Sequence, residues 1–277
     1  MEGIALGRNS HYFEGKETRA RVAREHTKNM AETEYENIYH SAQTTCTYGG
    51  DNGADWLRKK VEPRTSGDTI ITIDDIDSVG AIFKYQNDTD RMAVLNFASY
   101  RNPGGMFMEG SKAQEECLCH ASYLYNVISQ FSQFYAWNNQ HKNKGMYTNR
   151  ALYTPAVKFF DYGATETKSC FCDVITCACP NWSVALRYGN FTRQENTQAC
   201  SSRAEFILRI AADRYVGTLI LGAYGCGVFA QDATEIASIF KNLLDTKYKN
   251  VFRQVIFAIP AGGRDNNLGK FQSVFNG

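Results

Sequence analysis

Short apolar runs separated by polar stretches recur along the chain and predict buried β-strands. The runs lie at 69–73, 91–98, 156–160, 172–177, 217–221 and 255–259. They are rich in β-branched or aromatic side chains, as strands are. The run at 91–98 is the most continuous, and polar residues and glycine follow it. A buried strand that ends in this way delivers a loop to a binding site.

Other segments repeat apolar residues at helical spacing and predict amphipathic helices. The clearest is 113–131, where the apolar positions are expected to form one buried stripe. That stripe consists of Cys117, Ala121, Leu124, Tyr125 and Ile128. Residues 16–45 and 204–212 also have helical spacing. Asp232 and Glu235 form the pattern of a reciprocal N-terminal cap for a further helix.

Strands that alternate with helices over most of the chain predict an α/β layer architecture with ligand loops at the strand ends. Residues 132–150, which lack a clear period, are predicted to form a loop or a short helix. No internal repeat or low-complexity linker marks a second domain. We therefore expect one domain over residues 1–277, with about residues 1–65 as an N-terminal extension packed on it.

The composition indicates a nearly neutral globular protein. The chain has 277 residues, of which 43% are hydrophobic, enough to bury one large core. Its 30 basic and 29 acidic residues leave no excess positive charge for sequence-specific or other binding of duplex nucleic acid. No window approaches the roughly 18 apolar residues of a membrane span, and Met1-Glu2-Gly3-Ile4 does not resemble a signal peptide. We expect a cytoplasmic protein, or a nuclear one in a eukaryote, without a membrane partner.

Nine cysteines are many for an intracellular chain, and six of them form Cys-x-Cys pairs. The pairs are Cys117/Cys119, Cys170/Cys172 and Cys177/Cys179. Zinc sites usually contain Cys-x2-Cys pairs or combine Cys with His, so this spacing argues against a metal site. Residues two apart in a strand share a face, and free cysteine is among the most buried residue types. We expect buried, apolar cysteines, and neither a metal nor a cofactor.

Two glycine-containing loops follow predicted strands. Asn102-Pro103-Gly104-Gly105-Met106 follows the run at 91–98, and Gly222-Ala223-Tyr224-Gly225-Cys226-Gly227 follows the run at 217–221. Glycine lets the backbone approach a ligand, and N–H groups before a helix can hold a phosphate. A tight strand-to-helix turn explains each loop equally well. The spacing Gly-x-x-Gly-x-Gly in the second loop matches neither the dinucleotide fingerprint nor the phosphate loop of nucleotidases.

An amide and two carboxylates, Gln114-Glu115-Glu116, lie in the first turn of the helix predicted at 113–131. Adjacent helical residues diverge by about 100°, so these two glutamates cannot flank one bond as paired glycosidase carboxylates do. They must therefore have different tasks. Surface charge near a helix N-terminus is the alternative explanation. The predicted stripe places Glu116 at the edge of the buried face, beside a cleft.

Several segments together resemble the bacterial-type (microbial) poly(ADP-ribose) glycohydrolases. The first is Asn96-Phe97-Ala98-x-x-x-Asn102-Pro103-Gly104-Gly105 together with Gln114-Glu115-Glu116. The others, in family order, are Asp173-Val174-Ile175-Thr176-Cys177-Ala178-x-Pro180-Asn181 and Leu221-Gly222-Ala223-Tyr224-Gly225-Cys226-Gly227-Val228-Phe229. Similar segments cover most of residues 20–260. The resemblance implies a three-layer α/β/α macrodomain-like fold with a mixed sheet and an N-terminal helical extension.

The resemblance also implies roles for individual residues. Glu116 is expected to be the catalytic acid/base, which protonates the leaving ribose oxygen and then activates the attacking water. This role suits a glycosidic bond that breaks through an oxocarbenium-like state. Glu115 and Gln114 are expected to hold ribose hydroxyls and position that oxygen. The other expected substrate contacts are Asn96, Asn102, Gly104, Gly105 and Met106 on one side and Gly225, Cys226, Gly227, Val228 and Phe229 on the other.

Two positions depart from the family pattern. Met106 stands where the family usually has a third glycine, and Gln231 stands where it often has asparagine. Methionine would be disfavoured if its position required a positive φ. Hydrolysis of poly(ADP-ribose), with ADP-ribose as the product, is favoured because Gln114 and both glutamates are intact. The alternatives are ADP-ribose binding without turnover, and removal of ADP-ribose from proteins or nucleic acids.

Overall fold

A mixed, seven-stranded sheet forms the centre of the protein in the computed structural model, which describes residues 15–49, 56, 59–86, 90–161, 167–262 and 265–277. The strands are β1 (Cys46–Gly49), β2 (Ile70–Asp74), β3 (Met92–Phe97), β4 (Arg150–Asp161), β5 (Lys168–Cys177), β6 (Thr218–Leu221) and β7 (Gln254–Ala258). Their order across the sheet is β1-β4-β5-β3-β6-β7-β2. The pairs β1/β4 and β4/β5 are antiparallel, and the other pairs are parallel.

Helices cover both faces of this sheet. They are α1 (Lys16–Thr33), α2 (Tyr35–Thr44), α3 (Ser78–Tyr85), α4 (Gln114–His120), α5 (Leu124–Ile128), α6 (Ser132–Gln140), α7 (Trp182–Tyr188), α8 (Arg193–Asp213), α9 (Ala233–Asp245) and α10 (Asn267–Asn276). Alternate residues of β3 face opposite cores, as the pleat requires. Ala93 and Leu95 pack with α8, α9 and α10, whereas Met92 and Val94 pack with α1 to α6. The predicted three-layer architecture is confirmed.

All six predicted strands are present, as β2 to β7. β1 was not predicted because its four residues, Cys-Thr-Tyr-Gly, are too few to show a period. β4 begins at Arg150, before the predicted run, and is interrupted between Thr154 and Val157. At this bulge Ala156 has a φ of +52° and donates its N–H to Asp173 Oδ1 at 2.8 Å. The bulge hides the alternating pattern of the first half of β4.

The single helix predicted at 113–131 is wrong, because the chain forms α4 and α5 with a break between them. At the break Ser122 pairs with Phe159 of β4, and its hydroxyl accepts the Leu124 N–H at 3.1 Å. The predicted stripe is wrong at Cys117 and Tyr125, which are only partly buried. The buried residues of α4 are Glu115, Glu116, Leu118 and Cys119. The two glutamates therefore face inward, more deeply than the stripe implied.

The other helices are confirmed with changed limits. The segment 16–45 divides at Glu34 into α1 and α2, 132–150 contains α6 and a 3₁₀ helix at Asn143–Gly145, and the predicted 204–212 helix begins earlier, at Arg193. Asp232 caps α9 by accepting the Glu235 N–H at 2.9 Å. The reciprocal half of that cap is not formed, since the Glu235 carboxylate accepts hydrogen bonds from Arg193 and Thr197.

The cysteines are all free thiols, and six of the nine are buried. Within the described ranges no group of three His, Cys, Asp or Glu residues is placed to hold a metal ion. In the same part of the chain, no helix is long and apolar enough to cross a membrane. The first four residues lie outside the described residues, as do 5–14, 50–55, 57 and 58 of the proposed extension. The boundary near residue 65 and the cytoplasmic location stay predictions.

Candidate active site

Gln114 attaches the start of α4 to the end of β3. Its side-chain oxygen accepts the Phe97 N–H at 2.8 Å, and its amide nitrogen donates to Leu95 O at 2.8 Å and to Ser78 Oγ at 3.0 Å. Through these bonds the Gln114 side chain pairs with backbone groups at the end of β3. The same bonds hold the first turn of α4 in place. The amide expected to bind ribose is therefore engaged by the protein, and it positions the two glutamates that follow.

Glu115 is buried, with 3% of its surface exposed. Oε1 accepts from Asn96 Nδ2 at 3.2 Å, and Oε2 accepts the Ser99 N–H at 2.7 Å. Burial raises the pKa of Glu115 to about 8, against the opposing effect of the Ser99 hydrogen bond, and the charge of Glu116 adds to the rise. Glu115 is consequently protonated over most of the range below pH 8.

The two carboxylate oxygens of Glu116 differ, because one accepts a hydrogen bond and the other has no partner among the described residues. Its side chain is 4% exposed, and Oε1 accepts the Met106 N–H at 2.9 Å. Oε2 is buried and has no hydrogen-bond partner among the described residues. A buried acceptor without a partner costs about 1–3 kcal/mol, which is recovered when a ligand donates to it. This oxygen is therefore suited to receive or deliver a proton on a bound ligand.

The first glycine loop lies directly over the two carboxylates. Gly104 and Gly105 have φ values of +66° and +61°, which disfavour other residues. A Cβ on Gly105 would lie 2.6 Å from Glu116 Oε1 and 3.0 Å from Glu115 Oε2. Met106 is not among the described residues with positive φ, and its side chain is 45% exposed. Methionine is therefore compatible with this position, which contributes its N–H to Glu116.

The second glycine loop rests on buried thiols. Gly225 has a φ of +77°, and a Cβ there would overlap Cys179 Sγ and lie 2.9 Å from Gln231 Cγ. Cys226 is buried in the core, so only its backbone remains for the expected contact. Gly227 and Val228 are exposed, and Val228 is 84% exposed. This exposed tip is the part of the loop that can reach a ligand.

Gln231 closes the second loop from beneath. It forms a reciprocal amide pair with Asn196, with bonds of 2.8 and 3.0 Å, and donates to Pro180 O at 2.7 Å. Its side chain is buried, so it does not face the cleft. Glutamine, where the family often has asparagine, is therefore accommodated at this position by its contacts with α8.

A cleft of about 270 Å³ opens where β3, β6 and β7 end. Its lining combines apolar walls and polar groups: Asp77, Ser78, Val79, Phe97, Lys112, Gln114, Cys117, Ala223, Ala258, Ile259, Pro260 and Asn267. Most of these residues were missed in the sequence. The available signal was their position, since the carboxyl ends of parallel strands meet at one edge of a sheet and form a crevice there.

The expected site residues are only partly brought together. Asn96 is fully buried and contacts Glu115, so it lies beneath the site and not on its surface. Asn102 is exposed beside the first loop. Tyr147 lies between residues that flank the two loops, since its ring centroid is 4.1 Å from that of Tyr100 and 6.3 Å from that of Phe229. Tyr147 was not predicted, because it belongs to the segment without a clear period.

Comparison with known proteins identifies the family and structures of the same fold. Residues 2–161, more than half of the chain, match the family described as microbial-type PARG, catalytic domain. The structure is similar to poly(ADP-ribose) glycohydrolase from Thermomonospora curvata, with a TM-score of 0.85 and 26% identity over 94% of this chain and 100% of that one. The same enzyme bound to the inhibitor ADP-HPD gives a TM-score of 0.81 and 26% identity over 93% and 99%.

A second enzyme gives the same result. Poly(ADP-ribose) glycohydrolase from Deinococcus radiodurans in complex with ADP-ribose has a TM-score of 0.78 and 29% identity over 86% of this chain and 96% of that one. No curated protein sequence matches the chain. The family match and the agreement over nearly the whole fold lead to one conclusion. The chain belongs to the family of microbial-type poly(ADP-ribose) glycohydrolases.

Proposed function

We propose that the protein is a glycosidase that hydrolyses ribose–ribose O-glycosidic bonds of poly(ADP-ribose) and releases ADP-ribose, with Glu116 as the general acid/base. The observation that carries this assignment is the buried Glu116 carboxylate, with one oxygen held by Met106 N–H and the other free. A single such group suits a reaction in which one carboxylate first gives and then takes a proton.

The proposed reaction uses both glutamates. Glu116 Oε2 protonates the oxygen of the leaving ribose while the glycosidic bond breaks toward an oxocarbenium-like state. The resulting carboxylate then removes a proton from the attacking water. Glu115, whose pKa is raised to about 8, donates a hydrogen bond to a ribose hydroxyl, and it adds no second negative charge when Glu116 becomes a carboxylate after the first step. Asn96 and Gln114 act as positioning residues for Glu115 and for α4.

The ligand is proposed to extend from the carboxylates into the cleft. The adenosine end occupies the cleft of about 270 Å³, where Phe97, Val79 and Ile259 supply apolar contact for a base. The diphosphate lies between the two glycine loops, where backbone N–H groups can donate to it. Support comes from the similarity to a Deinococcus radiodurans enzyme whose structure contains ADP-ribose.

Binding without turnover loses its main support. It rested on Met106 in place of a glycine, yet Met106 has an ordinary backbone conformation and supplies the N–H that orients Glu116. Removal of ADP-ribose from a protein or nucleic acid would use the same pocket with a different leaving group. Defined polymer and mono-ADP-ribosylated protein, assayed side by side, distinguish these substrates.

The proposal is tested with a Glu116→Gln variant, which keeps the volume and one acceptor oxygen of the side chain. We expect turnover of labelled poly(ADP-ribose) to fall by roughly 10²–10⁴, the usual contribution of general acid–base catalysis. ADP-ribose binding, measured by calorimetry, should persist. Cleavage of the polymer by the variant at the native rate would contradict the role of Glu116. Wild-type protein that binds ADP-ribose but cleaves no polymer would contradict the proposed activity.

A further inference from the structure

Tyr147 occupies an unusual position between the two glycine loops. Its ring stacks on that of Tyr100 at 4.1 Å with an interplanar angle of 12°, and meets the edge of Phe229 at 6.3 Å. Its φ of +57° is uncommon for a large side chain. Strained backbone of this kind persists where the surroundings hold it, and it is concentrated at ligand sites. The ring remains half-exposed, so part of it faces outward.

Arg101 directly follows Tyr100, the residue on which the Tyr147 ring stacks. Its Nε donates to Asn139 Oδ1 at 3.1 Å, and Asn139 Nδ2 donates back to Arg101 O at 3.2 Å, which anchors the residue to α6 at two points. Burial raises the pKa of Tyr147, and a hydrogen bond with the Asn181 side chain and the charge of Arg101 oppose that rise. No carboxylate in the described part of the chain forms an ion pair with Arg101.

The chemistry of the polymer defines what lies beyond the bond that breaks. The leaving oxygen belongs to the adenosine ribose of the next unit, so the leaving group carries an adenine and a diphosphate within a few bonds of Glu116. Adenine binds aromatic faces by stacking, and a diphosphate binds guanidinium groups through charged hydrogen bonds. Tyr147 and Arg101 have these two properties.

The location of the two residues agrees with the leaving side. The cleft proposed for the bound unit is lined by residues of the strand ends and of α3, α4 and α10. Neither Arg101 nor Tyr147 is among its lining residues. If the adenosine end of the bound unit fills that cleft and its far ribose meets Glu116, the chain must continue away from the cleft. Arg101 is exposed and directly precedes Asn102 of the first loop, the loop that lies against Glu116.

We propose that Arg101 and Tyr147 form a subsite for the leaving ADP-ribose unit, in which Tyr147 contacts the adenosine and Arg101 binds the diphosphate. This inference rests on the proposed glycohydrolase function. It adds a specificity for polymer over small leaving groups that the catalytic carboxylates do not provide.

The test compares two substrates that differ only beyond the bond that breaks. One is poly(ADP-ribose), and the other is ADP-ribose carrying 4-nitrophenoxide as the leaving group, which has neither adenine nor phosphate. For Arg101→Gln we expect the ratio of kcat/KM on polymer to kcat/KM on the aryl glycoside to fall about tenfold at low salt. Arg101→Lys should recover part of the ratio, and high salt should reduce the difference from wild type. For Tyr147→Leu we expect a similar fall, with Tyr147→Phe near wild type because its ring is kept.

Arg21→Gln is the matched control, because it removes one exposed positive charge from α1. It should leave the substrate ratio unchanged. An unchanged ratio in Arg101→Gln and Tyr147→Leu would overturn the subsite, as would an equal loss on both substrates. Failure of the wild-type protein to cleave either substrate would instead overturn the proposed function, so the two failures are distinguishable.

Discussion

The two glycine loops are stabilised by different forces. The first loop is held by polar contacts, since Glu115 and Glu116 accept N–H groups from Ser99 and Met106. The second loop is held by the packing of Gly225 on the Cys179 thiol and by hydrogen bonds between neutral groups, with Gln231 beneath it. The geometry of the two carboxylates at the reacting bond therefore depends on charge and protonation. The geometry of the second loop depends on the volume of the side chains packed against it.

The first loop is also bound from outside by the N-terminal helix. Arg19 Nε donates to Gly110 O at 2.7 Å, and an Arg24 guanidinium nitrogen donates to Met108 O at 3.2 Å. A Cβ on Gly110 would overlap Lys16 O, so the start of α1 lies directly on the end of the loop. Helix α1 therefore supports the segment that follows Met106, and so the donor to Glu116.

Among substitutions that leave both carboxylates in place, Gly105→Ala should have the largest effect. The added methyl would lie 2.6 Å from Glu116 Oε1 and would need a φ of +61°. The clash cannot be relieved without moving a carboxylate that the reaction needs, so we expect kcat to fall by at least about 100-fold. Steady-state kinetics on labelled polymer measures this. A variant with native kcat would show that the loop does not determine the carboxylate geometry.

Gly225→Ala tests the second loop, where the obstacle is a thiol without a role in the reaction. We expect a loss of about 1–3 kcal/mol in the free energy of unfolding, from overpacking and a positive φ. Adding Cys179→Ala should restore part of that loss by making room. Urea unfolding of the single and double variants measures it. Equal stability of the two would show that the strain lies in the backbone and not in the contact with the thiol.

Glu115, in the first turn of α4 beneath the first loop, should make stability depend on pH. Glu115 has a pKa of about 8 when folded and about 4.5 when unfolded, so between these values the folded protein holds a proton that the unfolded chain has lost. The free energy of unfolding should therefore fall as the pH rises from 4.5 to 8, by up to about 1.4 kcal/mol per pH unit. Urea unfolding over pH 5–8 measures the free energies of unfolding of wild type and Glu115→Gln. Because glutamine does not titrate, the difference between these two free energies should narrow as the pH rises. A constant difference would contradict the shifted pKa.

Arg19→Gln should weaken the support of the first loop without touching the substrate. We expect kcat to fall severalfold with KM nearly unchanged, about 1 kcal/mol in activation free energy, because the hydrogen bond to Gly110 O is lost. Arg19→Lys should recover part of the rate, and Arg21→Gln provides the control for loss of charge on α1. A rise in KM alone would indicate that Arg19 affects binding and not the position of Glu116.

Met106→Gly should have the smallest effect. The side chain is 45% exposed and its contribution to the site is a backbone N–H, which glycine also has. We expect kcat/KM within about twofold of wild type, with a slight loss of stability because glycine gains more freedom in the unfolded chain. A large gain in activity would show that the methionine side chain obstructs the substrate.

Local features of the molecule were predictable because each depends on residues close in sequence. The strand β3, the Asp232 cap of α9 and the paired glutamates at the start of α4 follow from periodicity and spacing. Gly104 and Gly105 have positive φ values, which explains glycine at these positions, and their contact with the substrate stays a prediction. The limits of the helices were less accurate, since the break between α4 and α5 depends on a bridge to β4.

The sequence by itself determined the α/β fold, the two loops and the identity of the two carboxylates, whose unequal roles stay a proposal. Only the tertiary structure decided that Asn96 lies beneath Glu115, that Gln114 continues the edge of β3, and that a backbone N–H of Met106 orients Glu116. The reason is physical. Periodicity records which side of one element is buried, whereas a hydrogen-bond partner such as Arg19 for Gly110 is set by how distant elements pack together.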